Sequence, residues 1–193
     1  KLVLSKKVQG VMPAEVLTYT QSIPLTQSAH LKARAFYQGE WSALTEVYYA
    51  LGRSPIPGDL TLTELHYHPA EPQHGEFVEI LNIAQDTLVL GGVTFSDGLS
   101  FVFPPQSLLE SGRRVVVAQD PQSLRAAYPG ILVYGPFVNH TQLSNGGERL
   151  SLLNASGDLL LGLEYRDEAP WPDSADGKGY SLVLRDPAAP GAL

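Results

Sequence analysis

The chain has no cysteine in 193 residues. That excludes disulfide staples and thiolate metal sites. No apolar run approaches the roughly 20 residues of a membrane-spanning helix. Lys and Arg number 13 against 20 Asp and Glu, for a net charge of -7, and Arg113-Arg114 stands as an isolated basic pair. Nucleic-acid-binding domains carry a basic face, so nucleic acid is excluded as a partner and an anionic membrane surface is disfavoured. Catalytic spacings are missing as well. There is no Gly-x-Ser-x-Gly elbow, no phosphate-binding glycine loop, and no histidine with an evident nucleophile partner.

What is present reads as β structure. The 18 glycines and 15 prolines suit a protein of many turns, and 44% hydrophobic residues suffice for a core. Gly75-Glu76-Phe77-Val78-Glu79-Ile80-Leu81-Asn82 reads as a central strand. Val78 and Ile80 fall on one face and Phe77 and Leu81 on the other, so both faces carry apolar weight and both are covered. The chain opens on Lys1 and carries no signal peptide; it reads as a fragment or processed product of a longer protein, with a lost targeting segment possible.

Residues 1–52 read as short strands. Val16-Leu17-Thr18-Tyr19-Thr20 is one. Another runs over 29–36, where Leu31, Ala33 and Ala35 alternate with Lys32 and Arg34. A turn at Gln38-Gly39-Glu40 leads to a strand over 44–50. These are too few to close a sandwich alone. Gly52 through Asp59 carries two prolines, two glycines and no periodicity, so residues 53–59 read as a linker. The main domain is expected over 60–187, with 188–193 as a tail. Strands are expected over 60–67, 86–94 (kinked at Gly91-Gly92), 99–103, 114–118, 148–153, 159–165 and 180–185. Asp120 caps a short helix with Pro121 at its first position and Leu124, Ala127 and Tyr128 on one side. Asn145-Gly146 marks a tight turn. About nine short strands at regular spacing predict an all-β, Ig-like sandwich.

Two resemblances attach to these segments. Ile23-Pro24-Leu25-Thr26, Leu31 through Phe36 and Gly39-Glu40-Trp41-Ser42 resemble the C-terminal half of the fibronectin-III-like module that ends chitobiases and hexosaminidases. The usual opening hairpin of that module is absent, which implies a partial module. The second resemblance spans the main domain. Leu62-Thr63-Glu64-Leu65-His66-Tyr67-His68-Pro69, Glu76 through Asn82, Leu90 through Gly98, Phe101-Val102-Phe103-Pro104, Gly147 through Leu152, and Trp171-Pro172 on to Leu182 are similar to bacterial lamin tail domains. Val93 stands where that family commonly carries Trp, which implies a smaller core plug on the same fold. The resemblance implies an Ig-like sandwich appended to larger secreted or surface proteins, with no activity of its own to carry over.

Three residue sets have the chemistry for a site. Glu64, His66 and His68 alternate along a strand and point to one face, with His74 a loop away; His-x-His with a carboxylate two residues off can bind zinc. The same alternation also fits Leu65 and Tyr67 facing the core with the polar triplet in water. Asp167, Glu168, Asp173 and Asp176 lie beside Gly177 and Gly179, an oxygen-rich loop of the kind calcium uses, with Asp173 and Asp176 the foremost candidates. They equally fit a solvated loop of turn-forming aspartates, since the spacing is not that of an EF-hand. Trp171, between Pro170 and Pro172, either presents a platform for a sugar ring or fills the core, and Trp41 has the same two readings. Glu79 sits between apolar neighbours and reads either as a perturbed acid or, the favoured reading, as a structural carboxylate bonded to a backbone turn. Asn139-His140-Thr141 and Asn154-Ala155-Ser156 match glycosylation sequons, which the bacterial resemblance argues against.

The sequence therefore predicts a non-catalytic accessory, spacer or binding module of a larger bacterial secreted or cell-surface protein. It is expected to have no enzymatic activity, no cofactor unless calcium binds, and an unidentified protein or glycan partner at the cell surface. The alternatives are a calcium-stiffened carbohydrate-binding module using Trp171, and a metal-dependent hydrolase using Glu64, His66 and His68.

Overall fold

The computed structural model describes residues 2–8, 15–70 and 75–186. The chain divides into two compact units, 1–52 and 53–193. His74 and the expected tail over 188–193 lie outside the described residues. Among the described residues no helix is long and apolar enough to cross a membrane.

The first unit is one antiparallel sheet of β1 (Leu2–Val8), β2 (Glu15–Thr18), β3 (Ala29–Tyr37), β4 (Glu40–Trp41) and β5 (Thr45–Tyr49). β3 is its spine. It pairs with β1 on one side and with β4 and β5 on the other. Registration of Leu31 with Val47 and Ala29 with Tyr49 gives one apolar face. The opposite face carries Lys32 and His30, both paired with Glu46 at 3.0 Å. Gln38 and Gly39 form the β3–β4 turn with positive φ at both.

The second unit holds β6 (Leu60–His66), β7 (Phe77–Asn82), β8 (Leu88–Val89), β9 (Thr94–Asp97), β10 (Phe101–Val102), β11 (Leu108–Leu109), β12 (Arg114–Ala118), α1 (Pro121–Ala127), β13 (Val133–Tyr134), β14 (Gly147–Leu153), β15 (Leu159–Arg166) and β16 (Leu182–Val183). A five-stranded sheet in the order β13-β12-β7-β6-β16 faces a four-stranded sheet in the order β10-β9-β14-β15, with β8 and β11 paired beside them. This is an Ig-like β-sandwich. One core joins Leu65, Val78, Ile80 and Val117 of the first sheet to Phe95, Leu150, Leu152 and Tyr165 of the second. Val93 is buried in that core. On the far side of the five-stranded sheet, Leu124 of α1 packs with Val116, Ala118, Val133 and Phe77. Both faces of β7 are thus covered, as its two-sided apolar pattern requires.

Several expectations are corrected. Residues 53–59 are no linker. The Arg53 guanidinium binds both carboxylate oxygens of Asp59 at 2.5 and 2.8 Å and Asp86 at 2.8 Å, and Arg53 exchanges backbone hydrogen bonds with Thr87 and Val89. The expected strand over 86–94 is two strands in different sheets. A Cβ on Gly91 would stand 2.6 Å from the Pro105 carbonyl oxygen, and this close approach turns the chain at Gly91-Gly92. Leu60, Leu62 and Leu65 of β6 and Tyr67 just after it are all buried, as a strand over 60–67 facing the core requires, with the inward parity switching at a bulge between Leu62 and Glu64. Asp120 caps α1 through the Gln122 and Ser123 amides, but Ala127 and Tyr128 face solvent and Leu124 is the buried residue of the helix. The tight turn expected at Asn145-Gly146 is where the structure places it, closed by the Gly147 amide on the Ser144 carbonyl at 3.3 Å, and Gly147 after it is left-handed, held there by the Tyr165 backbone against it.

Candidate functional site

Glu64 and His66 of β6 stand opposite Glu79 and Phe77 of β7, His68 lies just beyond the strand, and the structure takes each of the three to a different partner. Glu64 accepts a 2.5 Å hydrogen bond from the Ser181 hydroxyl. His66 packs edge-on to Phe77 with ring centroids 5.3 Å apart. The His68 Nδ1 atom lies 2.6 Å from an Asp176 carboxylate oxygen. Among the described residues no group of three or more His, Asp and Glu is placed to hold a metal ion.

The acidic loop is organised in the same way. Asp173 pairs with Lys178 at 2.7 Å, and the ammonium beside it holds its carboxyl below the usual value. Asp176 is taken by His68 and by a backbone bridge that brings the Gly177 amide to the His68 carbonyl at 3.2 Å. The two sequence-predicted sets therefore meet in one clamp, His68 on Asp176, which fastens the loop over 167–181 to the end of β6. Trp171 is half-buried and packs against the main core, so its indole serves packing. Trp41, in the first unit, is 50% exposed and tilted against Phe36 at a centroid distance of 4.8 Å. Glu79 is a structural carboxylate, bonded to side chains rather than to a backbone turn. It accepts from the Thr63 hydroxyl at 2.5 Å and pairs with Arg114 at 3.1 Å. Thr63 can reach it because the β6 bulge brings both Thr63 and Glu64 beside Glu79.

A buried polar layer was not foreseen from sequence. Glu76 is 8% exposed and accepts the Leu143 backbone amide at 2.6 Å. Glu148 accepts the next amide, that of Ser144, at 2.7 Å. The Tyr165 hydroxyl lies 2.7 Å from the Ser144 carbonyl and 3.1 Å from Glu148, with one proton to share between them. Burial raises the Glu76 carboxyl above its ordinary value; the Leu143 amide opposes this, Glu148 adds to it, and His68 opposes it. Burial, with Glu148 beside it, pushes the Tyr165 phenol upward too. A signal for Glu76 was present: it shares the parity of Val78 and Ile80, the inward face of β7. Chemically this layer holds a loop rather than a substrate, because its acceptors are filled by backbone amides.

No curated protein matches the chain. The family model described as Lamin Tail Domain matches residues 53–167, which begins at the Arg53 ion-pair cluster and ends just past β15. With that match over more than half its length, the chain belongs to the lamin tail domain family.

Proposed function

We propose that this chain is a non-catalytic accessory module, a spacer or binding unit of a larger bacterial protein that is secreted or displayed at the cell surface. Lamin tail domains are Ig-like and generally non-catalytic, which supports an accessory role. The observation that carries the reading is the commitment of the chemically able side chains to structural bonds: Glu64 to Ser181, Glu79 to Thr63 and Arg114, His68 to Asp176, Asp173 to Lys178. The five-stranded first unit, in this reading, is the partial fibronectin-III-like module, and the partner is a protein or glycan at the cell surface. The test is a turnover screen of the purified chain on glycan, phosphoester and peptide substrates. Hydrolysis that Glu64→Gln or Glu79→Gln abolishes would overturn the reading.

A second reading has one observation in its favour. The half-exposed Trp41, braced by Phe36, offers a flat apolar surface of the kind that stacks on sugar rings. A carbohydrate-binding module would then use Trp41 rather than Trp171. Glycan-array binding lost in Trp41→Ala and kept in Trp171→Phe would favour it; an array without signal would remove it.

A further inference from the structure

Along β3, His30, Lys32, Arg34 and Phe36 alternate onto one face of the first unit's sheet. The register sets Glu46 opposite Lys32 and Trp41 opposite Phe36 on that face. Trp41 is half-exposed, and its ring is tilted on Phe36. Arg34 stands two residues before Phe36 and is therefore the diagonal cross-strand neighbour of Trp41. Diagonal neighbours lie about 7–8 Å apart, within reach of long side chains. Lys32 and His30 are both taken by Glu46. The Arg34 side chain is exposed, and among the described residues its guanidinium has no ion pair or hydrogen bond. An aromatic platform and an uncommitted cation thus stand side by side. The charge of the unit has the same sign as Arg34. Residues 1–52 carry five Lys and Arg against three Asp and Glu, a net +2, whereas residues 53–193 carry eight against seventeen, a net -9, which together give the -7 of the chain.

We propose that this face binds an acidic polysaccharide, one built with uronic-acid rings. The proposal rests on the second reading above, in which Trp41 stacks on a sugar, and it names the class of sugar. One ring lays its C–H face on the Trp41 indole. Its carboxylate meets the Arg34 guanidinium, whose planar fork matches a carboxylate with two parallel hydrogen bonds. From His30 to Phe36 the face runs about 20 Å, which suits a chain of sugars rather than a single one. A nucleic acid is the other polyanion with rings to stack. Its backbone carries a phosphate at every nucleotide and calls for a run of cations. Lys32 is neutralised here by Glu46, so the described part of β3 leaves Arg34 as the uncommitted cation beside the platform. One guanidinium beside one stacked ring matches a carboxylate on that ring.

Titration calorimetry of the full chain tests this. The probes are oligosaccharides of glucuronate, galacturonate and mannuronate, each against its carboxyl-reduced neutral form, with single-stranded DNA as a further polyanion. At least one uronate is expected to bind roughly tenfold more tightly than its neutral form, the scale of one charge-assisted contact. Arg34→Gln erases that difference and leaves the neutral form where it was. Trp41→Ala loses both forms. Arg34 is exposed and Trp41 half-exposed, so folding is not the variable, and a thermal melt of each variant verifies it. Equal binding of the charged and neutral forms, lost in Trp41→Ala, overturns the proposal and leaves the sugar-stacking reading standing. Binding of no probe overturns both. A uronate preference unmoved by Arg34→Gln, or single-stranded DNA bound as tightly as the uronates, overturns the proposal as well.

Discussion

His68 Nδ1 and Asp176 Oδ1 stand 2.6 Å apart across 108 residues of sequence. The contact joins the end of β6 to the acidic loop, and Gly177 closes over the imidazole, with φ +68° and a Cβ position 3.1 Å from His68 Cε1. Both partners are more than a third exposed, at 37% and 41%, so screening limits the pair to about 0.5–1 kcal/mol. His68→Ala and Asp176→Ala are each expected to cost that much in urea denaturation and to speed proteolysis within 167–181. Gly177→Ala is expected to cost about 1 kcal/mol or more through its left-handed backbone and the crowded imidazole. Unchanged stability and cleavage in all three variants would show that the loop is fastened elsewhere.

Two buried carboxylates give stability opposite dependences on pH. Burial raises Glu76 above its ordinary 4.5. Its contribution is therefore fully present below that value and lost as pH rises through the higher folded value. Asp59 is held below its ordinary 3.8 by the Arg53 guanidinium and the Ile56 amide. Its contribution is present above 3.8 and lost as pH falls through the lower folded value. Stability measured from neutral pH downward is expected to gain from Glu76 until about the ordinary carboxylate range, then to lose from Asp59. Glu76→Gln flattens the upper limb without a large loss at neutral pH, since the amide oxygen still accepts from Leu143. Asp59→Asn flattens the lower limb and costs about 1–3 kcal/mol at neutral pH. Parallel pH profiles for wild type and both variants would contradict the assignment.

The pair Tyr67 and Tyr165, with rings tilted against each other and centroids 4.9 Å apart, separates packing from hydrogen bonding. Both rings are fully buried. The Tyr165 hydroxyl reaches Ser144 and Glu148, while that of Tyr67 has no hydrogen-bond partner among the described residues. Tyr165→Phe is expected to cost about 1–2 kcal/mol, and Tyr67→Phe to be neutral or stabilising, because it removes a buried polar atom that gains nothing. Equal losses in the two variants by chemical denaturation would refute this.

The sandwich was legible because its strands repeat short apolar alternations between turn residues, and the covered β7 followed from Phe77 and Leu81 opposing Val78 and Ile80. The cap of α1 was legible because Asp120-Pro121 is a local signal. What could not be read depended on distant partners. Pro55, Pro57 and Gly58 look like a linker until Arg53 is seen to bind Asp59 and Asp86. Gly91-Gly92 looks like a kink until Pro105 is found against it. The alternation of Glu64, His66 and His68 gave an expected common face, on which the ladder sets Glu64 opposite Glu79 and His66 opposite Phe77. It could not show that Ser181, Phe77 and Asp176, each from another segment, would take the three side chains separately.

The central claim is that these polar side chains hold the fold and do not wait for a ligand. The most direct measurement is a thermal melt of the purified chain with chelator, with calcium and with zinc. A ligand that binds the folded state must raise Tm by mass action. The account predicts one melting temperature in all three solutions. A rise with calcium that Asp173→Asn or Asp176→Asn removes, or a rise with zinc that His66→Ala removes, would contradict it.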